Sequence, residues 1–151
     1  MSESASLAGA SLYLDSNVFI YAFEGRSGAL RDATSRIVRG VFAGDNLGYT
    51  SVLTRAEVLV RPLGQRQTAL ADRYRRLLST AGPVEVKAVE SRVADLAAEL
   101  RADYPSLKLP DALHLATAIH ADCSAFITGD KRLAVVSARI PVLILDQLDA
   151  Y

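Results

Sequence analysis

Five short, mostly apolar runs, spaced far enough apart to hold helices between most of them, constrain this chain more than any other feature. They are Ser11–Leu14, Leu47–Thr50, Val84–Val86, Ala125–Thr128 and Val142–Leu145. Runs of this length and character suit fully buried parallel strands, because helices cover both faces of such a sheet. Between them, apolar residues recur at helical spacing. Leu30, Ala33, Ile37, Val38, Val41 and Phe42 form one stripe, and Leu70, Tyr74, Leu77 and Leu78 a second. Val89, Val93, Leu96, Ala97 and Leu100 form a third, and Ala112, Leu115, Ala116 and Ile119 a fourth. Gly44, Gly82-Pro83 and Tyr104-Pro105 punctuate the ends of these stretches. Strands alternating with helices imply crossover connections and a parallel sheet. The expectation is one α/β domain over residues 11–151, preceded by a flexible tail at 1–10.

Length and charge narrow the function classes. A chain of 151 residues buries about 68–70% of its unfolded surface, enough for a core without covalent staples. No apolar run approaches the roughly 20 residues of a membrane helix, and the first ten residues carry no basic signal region. Cys123 is the single cysteine, which rules out an internal disulfide and fits a reducing cytoplasm. It reads as a small buried hydrophobe rather than a reactive thiol. The formal net charge is zero, but residues 26–76 hold ten Arg against four acids. That third of the chain could face a polyanion, or simply be a set of solvated helix faces.

Ligands of open parallel sheets bind at the carboxyl ends of strands, so the polar residues there matter most. Asp15 directly follows the first strand, and Asp130 follows Phe126-Ile127-Thr128 by one residue. Ser16 and Asn17 are placed to cap a short helix, Val18–Phe23. Glu57 sits early in a helix that opens after the second strand, with Val52, Ala56 and Leu59 expected as its packing residues. Asp111 follows Pro110, which favours a helix start, and so falls in a first helical turn. Taken singly, each acid has an ordinary explanation. Asp111 can offset a helix dipole, Glu57 can pair with Arg61, and Asp15 and Asp130 can be turn residues.

Together the four acids are harder to explain away. At ~4 Å and an effective dielectric of about 20, each like-charged pair costs about 4 kcal/mol. A carboxylate cluster therefore protonates or binds a cation. Oxygen ligands without Cys or paired His favour Mg²⁺ or Mn²⁺. Such an ion beside a basic surface suits phosphodiester hydrolysis, since it activates water and offsets charge on the transition state.

Four segments carry a family resemblance. They are Leu14-Asp15-Ser16-Asn17-Val18-Phe19-Ile20-Tyr21, Thr54-Arg55-Ala56-Glu57-Val58-Leu59, Pro110-Asp111-Ala112-Leu113-His114-Leu115-Ala116-Thr117-Ala118 and Ile127-Thr128-Gly129-Asp130-Lys131-Arg132-Leu133. In this order, over about residues 12–146, the chain resembles the PIN domain, and most closely the VapC-like toxins of bacterial toxin–antitoxin pairs. The resemblance implies a three-layer α/β/α sandwich with a central parallel sheet. It implies Asp15, Glu57, Asp111 and Asp130 as the acidic metal site, supported by hydrogen bonds from Asn17 and Thr128. It further implies an RNA-cleaving, dimeric, cytoplasmic protein silenced by a cognate antitoxin.

Other residues are ambiguous in sequence. His114 and His120 differ by about 240° around one helix and cannot act as an acid–base pair. His114 shares a side with Asp111 but reads first as a satisfied structural histidine. Lys131, Arg132 and Arg55 are candidates for substrate contact, and Arg61, Arg73, Arg75 and Arg76 for RNA or antitoxin contact. Tyr13 and Tyr21 read as core. A haloacid-dehalogenase-like phosphohydrolase is a poor rival, because Asn17 stands where its second aspartate belongs and Glu57 and Asp111 have no role in it. A non-catalytic binding module is the other alternative, and the presence of all four acids speaks against it.

Overall fold

The computed structural model describes residues 7–25 and 28–148. Five strands, β1 (Ser11–Leu14), β2 (Leu47–Ser51), β3 (Val84–Lys87), β4 (Ala125–Thr128) and β5 (Val142–Ile144), form one sheet in the order β3-β2-β1-β4-β5. Every pairing is parallel. The expected strands lie within a residue or so of these bounds. Among the described residues there are six α-helices: α1 (Ser16–Glu24), α2 (Ala29–Phe42), α3 (Val52–Gly64), α4 (Thr68–Leu77), α5 (Ser91–Asp103) and α6 (Leu109–His120). A 3₁₀ helix, Lys131–Val136, joins β4 to β5.

The alternation of side chains along β1 assigns the layers. Leu12 and Leu14 enter one core with residues of α1 to α4, while Tyr13 enters the other with residues of α5 and α6. The result is the three-layer α/β/α sandwich with a parallel sheet. The chain leaves β1 toward β2 and β3 with helices on the first face. It then crosses back over the second face, through α5 and α6, to reach β4. This reversal makes the β1–β4 boundary the topological switch point, where parallel sheets open a crevice at their carboxyl ends. Gly48 allows α2 to lie close on β2, since a Cβ there would stand 2.5 Å from Val41 Cγ1.

Three local expectations change. Asp15 itself caps α1, accepting from the Ser16 backbone N–H at 2.8 Å, so the helix begins two residues earlier than the Ser16-Asn17 reading placed it. On α3 the buried residues are Thr54, Val58 and Pro62, whereas Val52 and Ala56 are exposed and Leu59 is only partly buried. The apolar residues of α3 exceed what one buried stripe can use, so periodicity alone could not choose between the faces. Residues 7–10 are tied down by hydrogen bonds, including Gly9 N–H to the Asp45 carbonyl and Leu47 N–H to the Ala10 carbonyl. Residues 1–6 of the expected tail lie outside the described residues. Among the described residues no helix is long and apolar enough to cross a membrane. Cys123 is buried, and burial pushes its thiol up to about 12, as befits a packing residue.

Candidate metal and active site

Register fixes where the first acid stands. Tyr13 pairs with Phe126 and Leu14 with Ile127, so Asp15 emerges beside Thr128. Its backbone N–H donates to the Ile127 carbonyl at 3.0 Å, extending the β1–β4 ladder by one bond. Asp15 is only 4% exposed, a degree of burial that a carboxylate tolerates only with partners. It accepts from Ser16 N–H, from the Thr128 hydroxyl at 2.8 Å and from Asn17 Nδ2 at 3.4 Å.

Asn17 and Thr128, both expected as supports, form one network with it. Asn17 Nδ2 also donates to Thr128 Oγ1 at 3.2 Å, and Asn17 Oδ1 accepts from the Gly129 backbone N–H at 2.9 Å. Thr50 adds a brace that the sequence reading missed. Its hydroxyl donates to the Leu14 carbonyl at 2.8 Å and lies 2.7 Å from the Thr54 hydroxyl, tying the ends of β1 and β2 below the site.

The other acids arrive from three elements. Asp130 caps the 3₁₀ helix, accepting from the Arg132 backbone N–H at 3.0 Å. Asp111 stands in the first turn of α6, half-buried. Glu57, on α3, is bonded to His114 Nε2 and leaves Arg61 alone. His114, on α6, lies 3.8 Å from Asp15 Oδ1 and joins its Nδ1 to the Tyr13 hydroxyl at 2.7 Å. It is thus part of the site, and the i, i+3 spacing from Asp111 was the signal that could have found it.

The electrostatics follow from this crowding. Burial raises the Asp15 pKa, and the charge of Glu57 adds to the shift, although His114, Thr128 and Ser16 oppose it. Burial also raises Asp111, together with the charges of Asp15 and Asp130. Burial works against a charged His114, but the Glu57 bond and the carboxylates of Asp15, Glu57 and Asp111 outweigh it, and its pKa rises. Asp130 moves the other way, held below the usual carboxylate range chiefly by the Arg132 guanidinium.

Among the described residues no group of three or more His, Cys, Asp or Glu is arranged to enclose a cation. Glu57 is turned to His114, and Asp130 to Arg132 Nε and Nη2 at 3.0 and 2.6 Å. The donor set nevertheless fits a hard divalent ion. It is all oxygen, and two of its members, Asp15 and Asp111, hold protons more tightly than usual, chiefly because they are buried and further because other carboxylates stand near them.

Of the basic candidates, only Arg132 lies at the acids. Lys131 Nζ pairs with Asp146 at 2.7 Å. Arg55 is committed to the end of α4, donating to the carbonyls of Arg75 at 3.4 Å and Leu78 at 3.0 Å. Arg73 lies over the Phe23 ring, and Arg75 pairs with Asp72 at 3.0 Å. His120 is exposed at the far end of α6. Tyr13 is fully buried and Tyr21 packs partly on the core, as expected.

The model of one family, described as the PIN domain, matches residues 12–138. None of the curated proteins is a significant match. Among solved structures, the chain is similar to a toxin–antitoxin complex from Klebsiella pneumoniae, at 27% identity and a TM-score of 0.63, covering 89% of this chain and 97% of that one. It is similar in fold to VapBC2 from Rickettsia felis bound to a promoter DNA fragment, at 14% identity and TM-score 0.68, covering 89% and 98%. It is also similar in fold to Mycobacterium tuberculosis VapC20, a sarcin–ricin loop cleaving toxin, at 17% identity and TM-score 0.64, covering 83% and 94%.

Proposed function

The chain belongs to the PIN domain family, and on that premise we propose that it is a Mg²⁺- or Mn²⁺-dependent endoribonuclease, the toxin of a toxin–antitoxin pair. The observation that carries this reading is that the four acids lie close enough to act on one another, Glu57 on Asp15 and both Asp15 and Asp130 on Asp111, with Asp15 and Asp111 raised in pKa chiefly by burial and further by these neighbours. The four carboxylates would hold the ion. When bound, it supplies a Lewis acid that activates water and offsets charge on the phosphate.

The chain's own residues do the rest. Thr128, Asn17 and the Ser16 N–H fix Asp15 in one orientation, so the site is organised before substrate arrives. Arg132, with its side chain 71% exposed beside Asp130, is free to turn from the carboxylate to a substrate phosphate. Each move keeps the guanidinium against an anion.

The similarity to toxin–antitoxin complexes supports an antitoxin as the protein partner, and to that partner we add, as part of the same proposal, a cytoplasmic site of action and a homodimer as the working form. An antitoxin segment near Glu57 and α4 would bring a Lys or Arg to neutralise the acids in the resting cell. The test is twofold. Purified protein should cut RNA when given Mn²⁺ or Mg²⁺, and the Asp15→Asn form should be slower by orders of magnitude. Expression of the wild type alone should arrest growth, and expression of Asp15→Asn should not. Wild-type cleavage by the Asp15→Asn protein would overturn the reading.

A further inference from the structure

Tyr13 and His114 are among the most deeply buried polar side chains here, at 0% and 1% exposure, and the proposed chemistry uses neither. Their placement follows from the sheet. Alternation along β1 sends Tyr13 into the α5–α6 layer, where its ring stacks on Phe126 at 5.1 Å between centroids and meets His114 edge-on at 5.9 Å. His114 comes from α6 and reaches across the end of the sheet to Glu57 on α3, the helix of the opposite layer. A buried histidine serving only the core needs no such reach. Here the ring ends against one carboxylate and 3.8 Å from another, Asp15.

We propose that Tyr13 and His114 form a positioning pair that fixes where the Glu57 carboxylate stands beside Asp15, and thereby sets the affinity of the site for its divalent ion. This rests on the metal-dependent reading given above. The donors and acceptors along this chain of groups fix its arrangement. An ionised Glu57 can only accept, so the proton of its bond to His114 lies on Nε2. When the ring is neutral, Nδ1 is then bare and the Tyr13 hydroxyl donates to it at 2.7 Å. When the ring is charged, Nδ1–H donates to the hydroxyl instead. In both states an N–H faces Glu57.

Glu57 needs this help, because its side chain is 42% exposed and has no other bonded partner among the described residues. Only one of its oxygens is engaged by His114, which leaves Oε2 for an ion. Hydrogen bonds of this kind to a ligating carboxylate are a general device of metal sites.

Calorimetric Mn²⁺ titration of the full chain tests the pair, with thermal unfolding in EDTA as a check that each variant is folded. Imidazole ¹⁵N spectra of metal-free protein at alkaline pH, where the ring is neutral, report its tautomer. The expected pattern is a protonated Nε2 and a bare Nδ1 on His114, changing to a mixture in Tyr13→Phe. His114→Leu should bind Mn²⁺ about 10–100-fold more weakly than wild type, and Tyr13→Phe should weaken binding in the same direction. His114→Gln, whose amide can still donate to Glu57, should recover most of the affinity.

Wild-type affinity in folded His114→Leu would overturn the proposal while leaving the metal site standing. A neutral ring protonated on Nδ1 would overturn it without reference to metal. Failure of the wild type to bind Mn²⁺ at all, with the expected nitrogen pattern, would remove the metal reading and the positioning role with it.

Discussion

The Thr128 hydroxyl donates to Asp15 Oδ2 at 2.8 Å, bridging the carboxyl ends of β4 and β1. Its two lone pairs accept from Asn17 Nδ2 at 3.2 Å and from the Asp130 backbone N–H at 3.1 Å. One proton and two lone pairs are all that a hydroxyl has, so each is used. Replacing Thr128 by Val keeps the shape and leaves the buried Asp15 short of a donor. Unfolding in denaturant should show a loss of about 1–3 kcal/mol, with weaker Mn²⁺ binding than wild type. A variant of unchanged stability would mean that this hydrogen bond is not what holds Asp15 in place.

The raised pKa values make a prediction about pH in the absence of metal. Asp15 and Asp111 hold protons more tightly in the folded state than in the unfolded one. Their stabilising contribution is therefore complete below the ordinary carboxylate value of about 4 and is lost as pH rises through the folded values. His114 acts in the same sense, with its contribution complete below about 6.5 and lost above its raised value. Asp130 runs oppositely, contributing above about 4 and losing that contribution as pH falls. In EDTA the melting temperature should fall as pH rises from about 5 to 8. Asp15→Asn should flatten that slope, although its amide keeps only one acceptor oxygen for the two carboxylate oxygens that serve Ser16 N–H and the Thr128 hydroxyl. Parallel slopes for the two proteins would show that Asp15 is not a source of the dependence.

Divalent ions should reverse that loss. An ion bound only by the folded state stabilises by about 2.7 kcal/mol at a hundredfold excess over its Kd, and millimolar Mn²⁺ or Mg²⁺ should raise the melting temperature. Asp111→Asn should shrink the rise.

Arg132 and the ion compete for the Asp130 carboxylate. The pair is largely exposed on the Arg132 side, where solvent screens it, so breaking it should leave the stability nearly unchanged. Arg132→Gln should tighten Mn²⁺ binding, because Asp130 is released, and should raise the KM for RNA, because a phosphate partner is gone. Mn²⁺ titration and steady-state kinetics read the two effects separately. Unchanged Mn²⁺ affinity would show that the guanidinium does not restrain Asp130.

The products of cleavage report the chemical step. Attack by an internal 2′-hydroxyl usually relies on a pair of groups such as histidines with pKa values near neutral. His114 is committed to Tyr13 and Glu57, and His120 is exposed at the other end of α6. The products should therefore carry a 5′-phosphate and a 3′-hydroxyl. A deoxynucleotide placed 5′ of the scissile bond should slow cleavage without abolishing it, and EDTA should abolish it. End-group analysis that finds cyclic phosphates would refute this step.

What the sequence determined by itself was periodic or terminal. Short buried runs between helical stripes fix a parallel α/β sheet, because no other layering hides both faces of such strands. The strand ends then locate Asp15, Asp130, Asn17 and Thr128, since side chains at those positions have one edge of the sheet to occupy. What the tertiary structure decided was which distant groups meet. Whether Glu57 pairs with Arg61 or with His114 depends on where the sheet sets α3 relative to α6 in the opposite layer, and spacing within one helix carries no information about the other. The buried face of α3 was undetermined for a related reason, since its apolar residues outnumber the contacts available. Arg55 and Lys131 looked like free cations in sequence, but the carbonyls ending α4 and the Asp146 carboxylate claim them. A long, flexible charged side chain has many possible partners, and only the folded arrangement of those partners selects one.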